Sequence, residues 1–300
     1  MTLREKLREY IEHCGSQRVA ATNIGYSSAV ISTYLKGTYT GDVGKLEEKL
    51  SEIFANLEAE KEVCNSLASG GYVATSISQN VYNTIRLCHL KGGIAIECGD
   101  AGIGKTMACK KYQEDYPNTA MYIMVNPCIS SITGFLKYMC LQLGLQTGRK
   151  DDMWLRIVNR LRGERKILII DEAQHLPIKT IETIRSFFDA YSEIGVCMVG
   201  NRDTYTNLHS GQAAFAQIIS RTKMKTIRHT TDILPQDIEL LYPAFAGKKK
   251  EIEFMLKVAR SEQGIRGTQN LYSNAVDNQD ISYAGLVAMA KAMEILSRVA

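Results

Sequence analysis

Residues 93–106 read GIAIECGDAGIGKT, and this stretch decides the fold. The short apolar run 93–98 reads as a strand, and the residues after it match G-x-x-x-x-G-K-[ST] in full from Gly99 to Thr106. A helical stretch beginning TMACKKY follows. In a strand–loop–helix of this kind, backbone amides can surround a phosphate group. Gly99, Gly102 and Gly104 keep Cβ atoms out of the way, so the amides of the loop, Asp100, Ala101 and Ile103 included, can curl around the oxygens. The N-terminus of the following helix aims its free N–H groups and its dipole at the same anion. Lys105 adds a point charge at the β- and γ-phosphates, and the Thr106 hydroxyl is suited to magnesium. The stretch therefore predicts ATP and Mg2+ as ligands.

A second stretch downstream fits the same chemistry. KILIIDEAQHL, residues 166–176, is an apolar strand that ends in two carboxylates. Asp171 at the strand tip is placed to hold the magnesium through water, and Glu172 to orient and deprotonate an attacking water. About 65 residues separate this pair from Lys105, with one further strand between them. A third apolar strand, GVCMVGN, ends at Asn201. Its amide is expected between the ends of the two motif strands, where it could position water or sense the γ-phosphate. Asn also favours turns and helix caps, which is the competing reading.

The flanking sequence sets bounds on the rest. At 300 residues, with 45% hydrophobic and 23% charged residues, the chain can bury a full core without staples. No apolar run approaches the roughly 20 residues that span a membrane, and the N-terminal MTLREKLREYIEH lacks a signal-like apolar stretch. A cytoplasmic protein with no membrane partner is expected. The eight cysteines (Cys14, Cys64, Cys88, Cys98, Cys109, Cys128, Cys140 and Cys197) form no C-x-x-C pair, so reduced buried thiols are expected rather than zinc or disulfides. A net charge of +4 is compatible with a polyanionic partner without establishing one.

Outward from these motifs, strands are expected at about 93–98, 121–126, 166–171, 195–200 and 225–229, with helices between them. That alternation predicts an α/β fold, a parallel sheet with helices on both faces. Beyond Leu234 only helical patterns occur, at about 235–243, 248–263, 268–276 and 281–297. Before the sheet, Leu3, Leu7, Tyr10, Ile11 and Cys14 mark one helix, followed by short helices from Ser16 and from Ser27 or Ser28. A longer helix then carries Leu46, Leu50, Ile53, Phe54 and Leu57 on one face. The expected divisions are a small all-α domain over 1–65, a linker over 66–80, an ATPase core over 81–232 and a helical lid over 233–300.

The order of these features resembles the AAA+ superfamily of P-loop ATPases. In that family an arginine of one subunit reaches the γ-phosphate bound by its neighbour. The resemblance places Arg221, in FAQIISRTKMKTI just before the last strand, in that role, with Arg202 as the competitor. It likewise identifies Gly264–Ile265–Arg266 with the lid's second sensor, Arg266 contacting nucleotide phosphates.

The N-terminal segment QRVAATNIGYSSAVISTYLKG sets Gln17, Ala21, Gly25 and Ile31 at the spacing of a repressor-type helix-turn-helix. In such folds the second helix enters the DNA major groove, which leaves Arg18, Ser27, Ser28, Ser32, Thr33 and Lys36 to meet bases or phosphates. The acidic run EEKLSEIFANLEAEKE behind it weighs against tight DNA binding by this segment alone. Further candidate cations are Arg149 and Lys150, in the loop GLQTGRKDD of the core, and Lys248–Lys250 in the lid. A helix-turn-helix joined to an AAA+ ATPase of this length resembles the family of phage Mu B proteins and their transposon relatives. That resemblance implies an ATPase that oligomerises with ATP into helical filaments on double-stranded target DNA, with little sequence preference. It also implies delivery of that DNA to a transposase. A replication loader or initiator, and a nucleotide-switched helix-turn-helix regulator, are the alternatives.

Overall fold

The computed structural model describes residues 3–51, 53–54, 71–190, 193–209 and 221–295. The chain forms two compact units, Met1–Gly71 and Tyr72–Ala300. Leu57, the acidic residues 55–62, the expected linker residues 66–70, residues 215–220 ahead of Arg221 and the end of the last expected helix lie outside the described residues.

The first unit contains α1 (Leu3–His13), α2 (Gln17–Ile24), α3 (Ser28–Lys36) and a helix α4 over 43–51. Serine hydroxyls set two of the starts: Ser16 Oγ accepts from Val19 N and Ser27 Oγ from Val30 N, satisfying donors that the first helical turn leaves open. Gln17 Nε2 donates to Ser28 O at 2.8 Å, which ties the start of α2 to the start of α3. Leu7, Ala21, Ile24, Ile31, Leu46 and Leu50 form the core, joined by Tyr34, whose hydroxyl donates to Glu47 Oε1 at 2.9 Å.

The second unit opens with α5 (Ser76–Lys91), capped by Thr75. Residues 76–80 of the expected linker are therefore the first turn of this helix. There follow β1 (Gly93–Gly99), α6 (Lys105–Asp115), β2 (Ala120–Met124), α7 (Ile132–Gln142), α8 (Lys150–Leu161), β3 (Ile167–Asp171), α9 (Ile178–Ala190), β4 (Gly195–Gly200), α10 (Arg202–His209) and β5 (Thr222–Arg228). Among the described residues, four α-helices follow: α11 (Pro235–Leu241), α12 (Lys249–Ala259), α13 (Gly264–Asp277) and α14 (Tyr283–Ala292).

All five strands are parallel, in the order β2-β3-β4-β1-β5. Side chains alternate between two cores. Ala95, Ile167, Ile169, Cys197 and Val199 pack with α5, α6 and the C-terminal helices, while Ile94, Ile96, Leu168, Ile170, Val196 and Met198 pack with α7, α8 and α9. Burial of both faces accounts for the near-continuous apolar sequences of β1, β3 and β4. β5, an edge strand, starts at Thr222 rather than near 225, and its alternating exposure explains why its apolar signal is weak.

Candidate nucleotide site

β1 and β3 are parallel and carry the two sequence motifs at the same, C-terminal end of the sheet, with β4 between them. Gly99 closes β1 where space is short: a Cβ there would lie 2.7 Å from Arg228 O and 2.9 Å from Ile103 Cδ1. Gly102 (φ 72°) and Gly104 (φ 94°) hold the loop in the left-handed region. α6 then starts at Lys105, so its N-terminal amides open toward the loop. Lys105 Nζ donates to Gly99 O at 3.0 Å and to Asp100 O at 2.6 Å. Burial lowers its pKa from the ordinary lysine value, and the carboxylates of Asp171, Glu172 and Asp100 oppose that shift. A half-buried lysine near three carboxylates and a curled run of amides fits a polyphosphate with its metal ion. Thr106, one residue into the helix, and Asp171 are the oxygen ligands this chain would offer magnesium. Among the described residues no cluster of three or more His, Cys, Asp or Glu side chains could hold a metal.

Asp171 is buried at the tip of β3, with two further bonds on its carboxylate. Oδ1 accepts from Glu172 N at 2.9 Å, and Oδ2 accepts from the hydroxyl of Tyr122 on β2 at 3.0 Å. Burial, and next the Asp171 charge, push the Tyr122 phenol far above its ordinary value, so it stays a donor. Glu172 has φ 56° and ψ 38°, a conformation uncommon for a residue with a side chain. Its Oε2 accepts from Gln174 Nε2. Asn201 follows β4 directly, and Gln174 Oε1 accepts from its backbone N–H at 3.3 Å. The Asn201 side chain caps α10: Oδ1 accepts from Asp203 N at 2.9 Å and Nδ2 donates to Asp203 Oδ2 at 3.0 Å.

The loop carboxylate Asp100 fastens three elements together. Arg202 Nε lies 3.1 Å from Oδ1, and Oδ2 accepts from Thr230 N at 2.9 Å. Arg202 Nη2 also donates to His229 Nδ1. Arg202 thus engages the loop of its own chain. Asp100, Arg202 and Thr230, with Gly99, Ala101, Asn201, Asp203 and residues 260–263, line an open cleft of about 1160 Å³ beside the loop. Arg221 lies elsewhere. The pairings Ile94↔Thr222 and Gly99↔Arg228 put it at the opposite end of the sheet, roughly 20 Å from the loop at about 3.3 Å per residue. It is exposed there.

The C-terminal helices touch the loop directly. Ile265 N donates to Gly102 O at 2.8 Å, and a Cβ on Gly264 would lie 2.8 Å from Ala101 O. Arg266 is exposed, with its Cβ beside Gly102. Asp237 of α11 accepts from Ser76 N and Ser76 Oγ, both at 2.6 Å, joining these helices to the start of α5.

The DNA candidates of the first unit divide by what their side chains already do. Arg18, Ser27 and Lys36 are exposed, whereas Ser28, Ser32 and Thr33 are half-buried. Ser27 Oγ caps α3, Ser28 Oγ accepts from Gln17, and Thr33 Oγ1 donates to Ala29 O and Val30 O. Arg149 and Lys150 are exposed, but at the N-terminus of α8 rather than within a loop. Lys248–Lys250 are exposed at the start of α12.

A family model described as an AAA domain matches residues 89–208. The ATP-dependent target DNA activator B of Escherichia phage Mu is 27% identical over 252 residues, covering 82% of this chain and 78% of that protein. The chain has the AAA+ fold and resembles the Mu B proteins. The Mu-like prophage FluMu DNA transposition protein B of Haemophilus influenzae is also 27% identical, over 75% of this chain and 79% of its own length. Among solved structures, the ADP form of the Aeropyrum pernix ORC2 protein superposes with a TM-score of 0.52 at 14% identity. That match covers 72% of this chain and 66% of the other, just under two thirds, and speaks for the fold alone.

The fold brings in residues the motifs do not single out: Tyr122, Gln174, His229 and the pair of buried Glu97 with half-buried Arg228. Arg228 Nη2 lies 3.1 Å and Nε 3.2 Å from the Glu97 carboxylate, which also accepts from Thr84 Oγ1. A glutamate in the middle of an apolar strand, in GIAIEC, was the one visible signal for that pair.

Proposed function

We propose that this chain is an ATPase that binds double-stranded DNA with ATP, oligomerises along it with little sequence preference, and delivers that target DNA to a transposase. The carrying observation is a nucleotide-type loop facing Asp171 and Glu172, in a chain that matches phage target DNA activators over about four fifths of its length. Its working parts are an N-terminal helix-turn-helix over 1–65, a joining segment over 66–80 whose last five residues open α5, an ATPase core over 81–232 and a lid over 233–300.

In this reading the amides of 99–106 and Lys105 bind the phosphates, while Thr106 and Asp171 hold magnesium. When bound, that ion screens the phosphate charge and offsets charge building up at the leaving oxygen. Glu172 accepts a proton from the attacking water, and Asn201 orients that water. Arg266 contacts the phosphates from the lid, which already sits against Gly102. Arg221 acts on the nucleotide of a neighbouring subunit. Its distance from its own loop supports this, as does the bond between Arg202 and Asp100. ATP then joins subunits, and hydrolysis releases them. Each subunit needs only a few phosphate contacts, drawn from Arg18, Ser27, Ser28, Ser32, Thr33, Lys36, Arg149 and Lys150, because assembly multiplies them.

The test is electron microscopy of the protein on random-sequence duplex DNA, with ATP and without nucleotide, followed by ATPase assays with transposase added. Continuous filaments that need ATP, and that persist in Glu172→Gln, are expected. Closed rings would favour a replication loader. Protection of one discrete site regardless of ATP would favour a regulator.

A further inference from the structure

Gln174 occupies the space between the carboxylate of Glu172 and the tip of β4. Its amide orientation is fixed by its partners. Asn201 N–H and the Thr204 hydroxyl are donors, and both meet Oε1 at 3.3 Å, so Nε2 is left to donate to the Glu172 carboxylate, which only accepts. Two independent features fit around this bridge. Gly200 leaves room for it: a Cβ there would lie 2.4 Å from Gln174 Oε1 and 2.2 Å from Thr204 Oγ1. Glu172 stands at φ 56°, and such a conformation persists only where its surroundings over-determine it. The Gln174 bond, with Glu172 N–H held by Asp171, supplies that restraint.

We propose that Gln174 is the positioning residue for Glu172, holding its carboxylate in register with the β4 tip so that a shift of Asn201 or of the start of α10 moves that carboxylate. The inference rests on the reading of Glu172 as the residue that activates water. Asn201 begins the connection that leads through α10 toward Arg221. Asn201 also caps α10, so the start of that helix is tied through Gln174 to the proton acceptor. Gln174 touches no substrate in this scheme and acts through Glu172 alone.

The test uses the full chain with duplex DNA, measuring steady-state ATP hydrolysis and, separately, binding of a fluorescent ATP analogue. Gln174→Glu keeps the size and both acceptor contacts but turns a donor into a repelling oxygen. It should lower kcat by about 10- to 100-fold, the range a misplacement of about 1 Å produces, with KM and analogue binding within about twofold of the parent. In a Glu172→Gln background the same change should lower the residual rate no further, because the group it positions is gone. Thr204→Val, nearly isosteric, should lower kcat several-fold with KM unchanged. Unchanged kcat in both Gln174→Glu and Thr204→Val, or a further loss in the Glu172→Gln background, overturns the proposal. Parent-like kcat in Glu172→Gln itself is a different failure, that of the underlying reading of the base.

Discussion

Gly264→Ala tests whether the contact between the C-terminal helices and the phosphate loop matters for nucleotide binding. Gly264 has φ 62°, and a Cβ there would lie 2.8 Å from Ala101 O and 3.0 Å from both C and O of Gly102. These are backbone atoms of the loop itself, so no side chain can swing aside. An alanine forced into the left-handed region costs about 1–2 kcal/mol. Moving α13 off the loop also removes the bond from Ile265 N to Gly102 O, worth about 1 kcal/mol. The total is about 2–3 kcal/mol, and the lost contact should weaken ATP binding about fivefold. Gly247→Ala is the control. Gly247 has φ 76° with nothing within 4 Å of its would-be Cβ, so it should lose about 1–2 kcal/mol of stability through strain alone. Urea unfolding and titration with a fluorescent ATP analogue read the two quantities separately. If Gly264→Ala binds nucleotide as tightly as Gly247→Ala, the contact does not support the site and the reasoning fails.

Other outcomes follow from the same geometry. Arg228→Met strands the fully buried Glu97 carboxylate and should cost about 3–5 kcal/mol in urea unfolding, most of it recovered in Glu97→Gln/Arg228→Met; a double variant as unstable as the single one would contradict this. Arg221→Ala should leave nucleotide binding intact but reduce DNA-stimulated hydrolysis and assembly, whereas Arg202→Ala should weaken nucleotide binding itself by freeing Asp100 beside the phosphates. The opposite pattern in sedimentation and titration assays would reverse the two assignments. Burial lowers the pKa of His89, whose Nδ1 lies 2.9 Å from the Tyr112 hydroxyl. The fold therefore favours the neutral ring, and that contribution is complete above the unfolded histidine pKa near 6.5 and fades as pH falls below it. His89→Gln should flatten the loss of urea midpoint between pH 7.5 and 5.5, and parallel profiles for the two proteins would refute the assignment.

The sequence by itself determined the parts whose signals are local. The loop 99–106 needs its glycines and its lysine wherever it occurs, and an apolar strand ending in Asp171–Glu172 is visible in KILIIDEAQ. Helix starts at Ser16 and Ser27 are likewise written in single side chains that bond three residues ahead. What the sequence could not hold was which strand neighbours which. Parallel strands pair through crossovers of variable length, so only the folded sheet places β4 between β3 and β1. That order makes Asn201 and Gln174 partners across 27 positions of chain and puts Tyr122 on Asp171. The register of β5 against β1 sends Arg221 to one end of the sheet and Arg228 to the other, a separation invisible in a stretch of eight residues. A hydrogen bond or an ion pair is a property of distance in space, and for the residues that orient this site that distance was set by packing between elements.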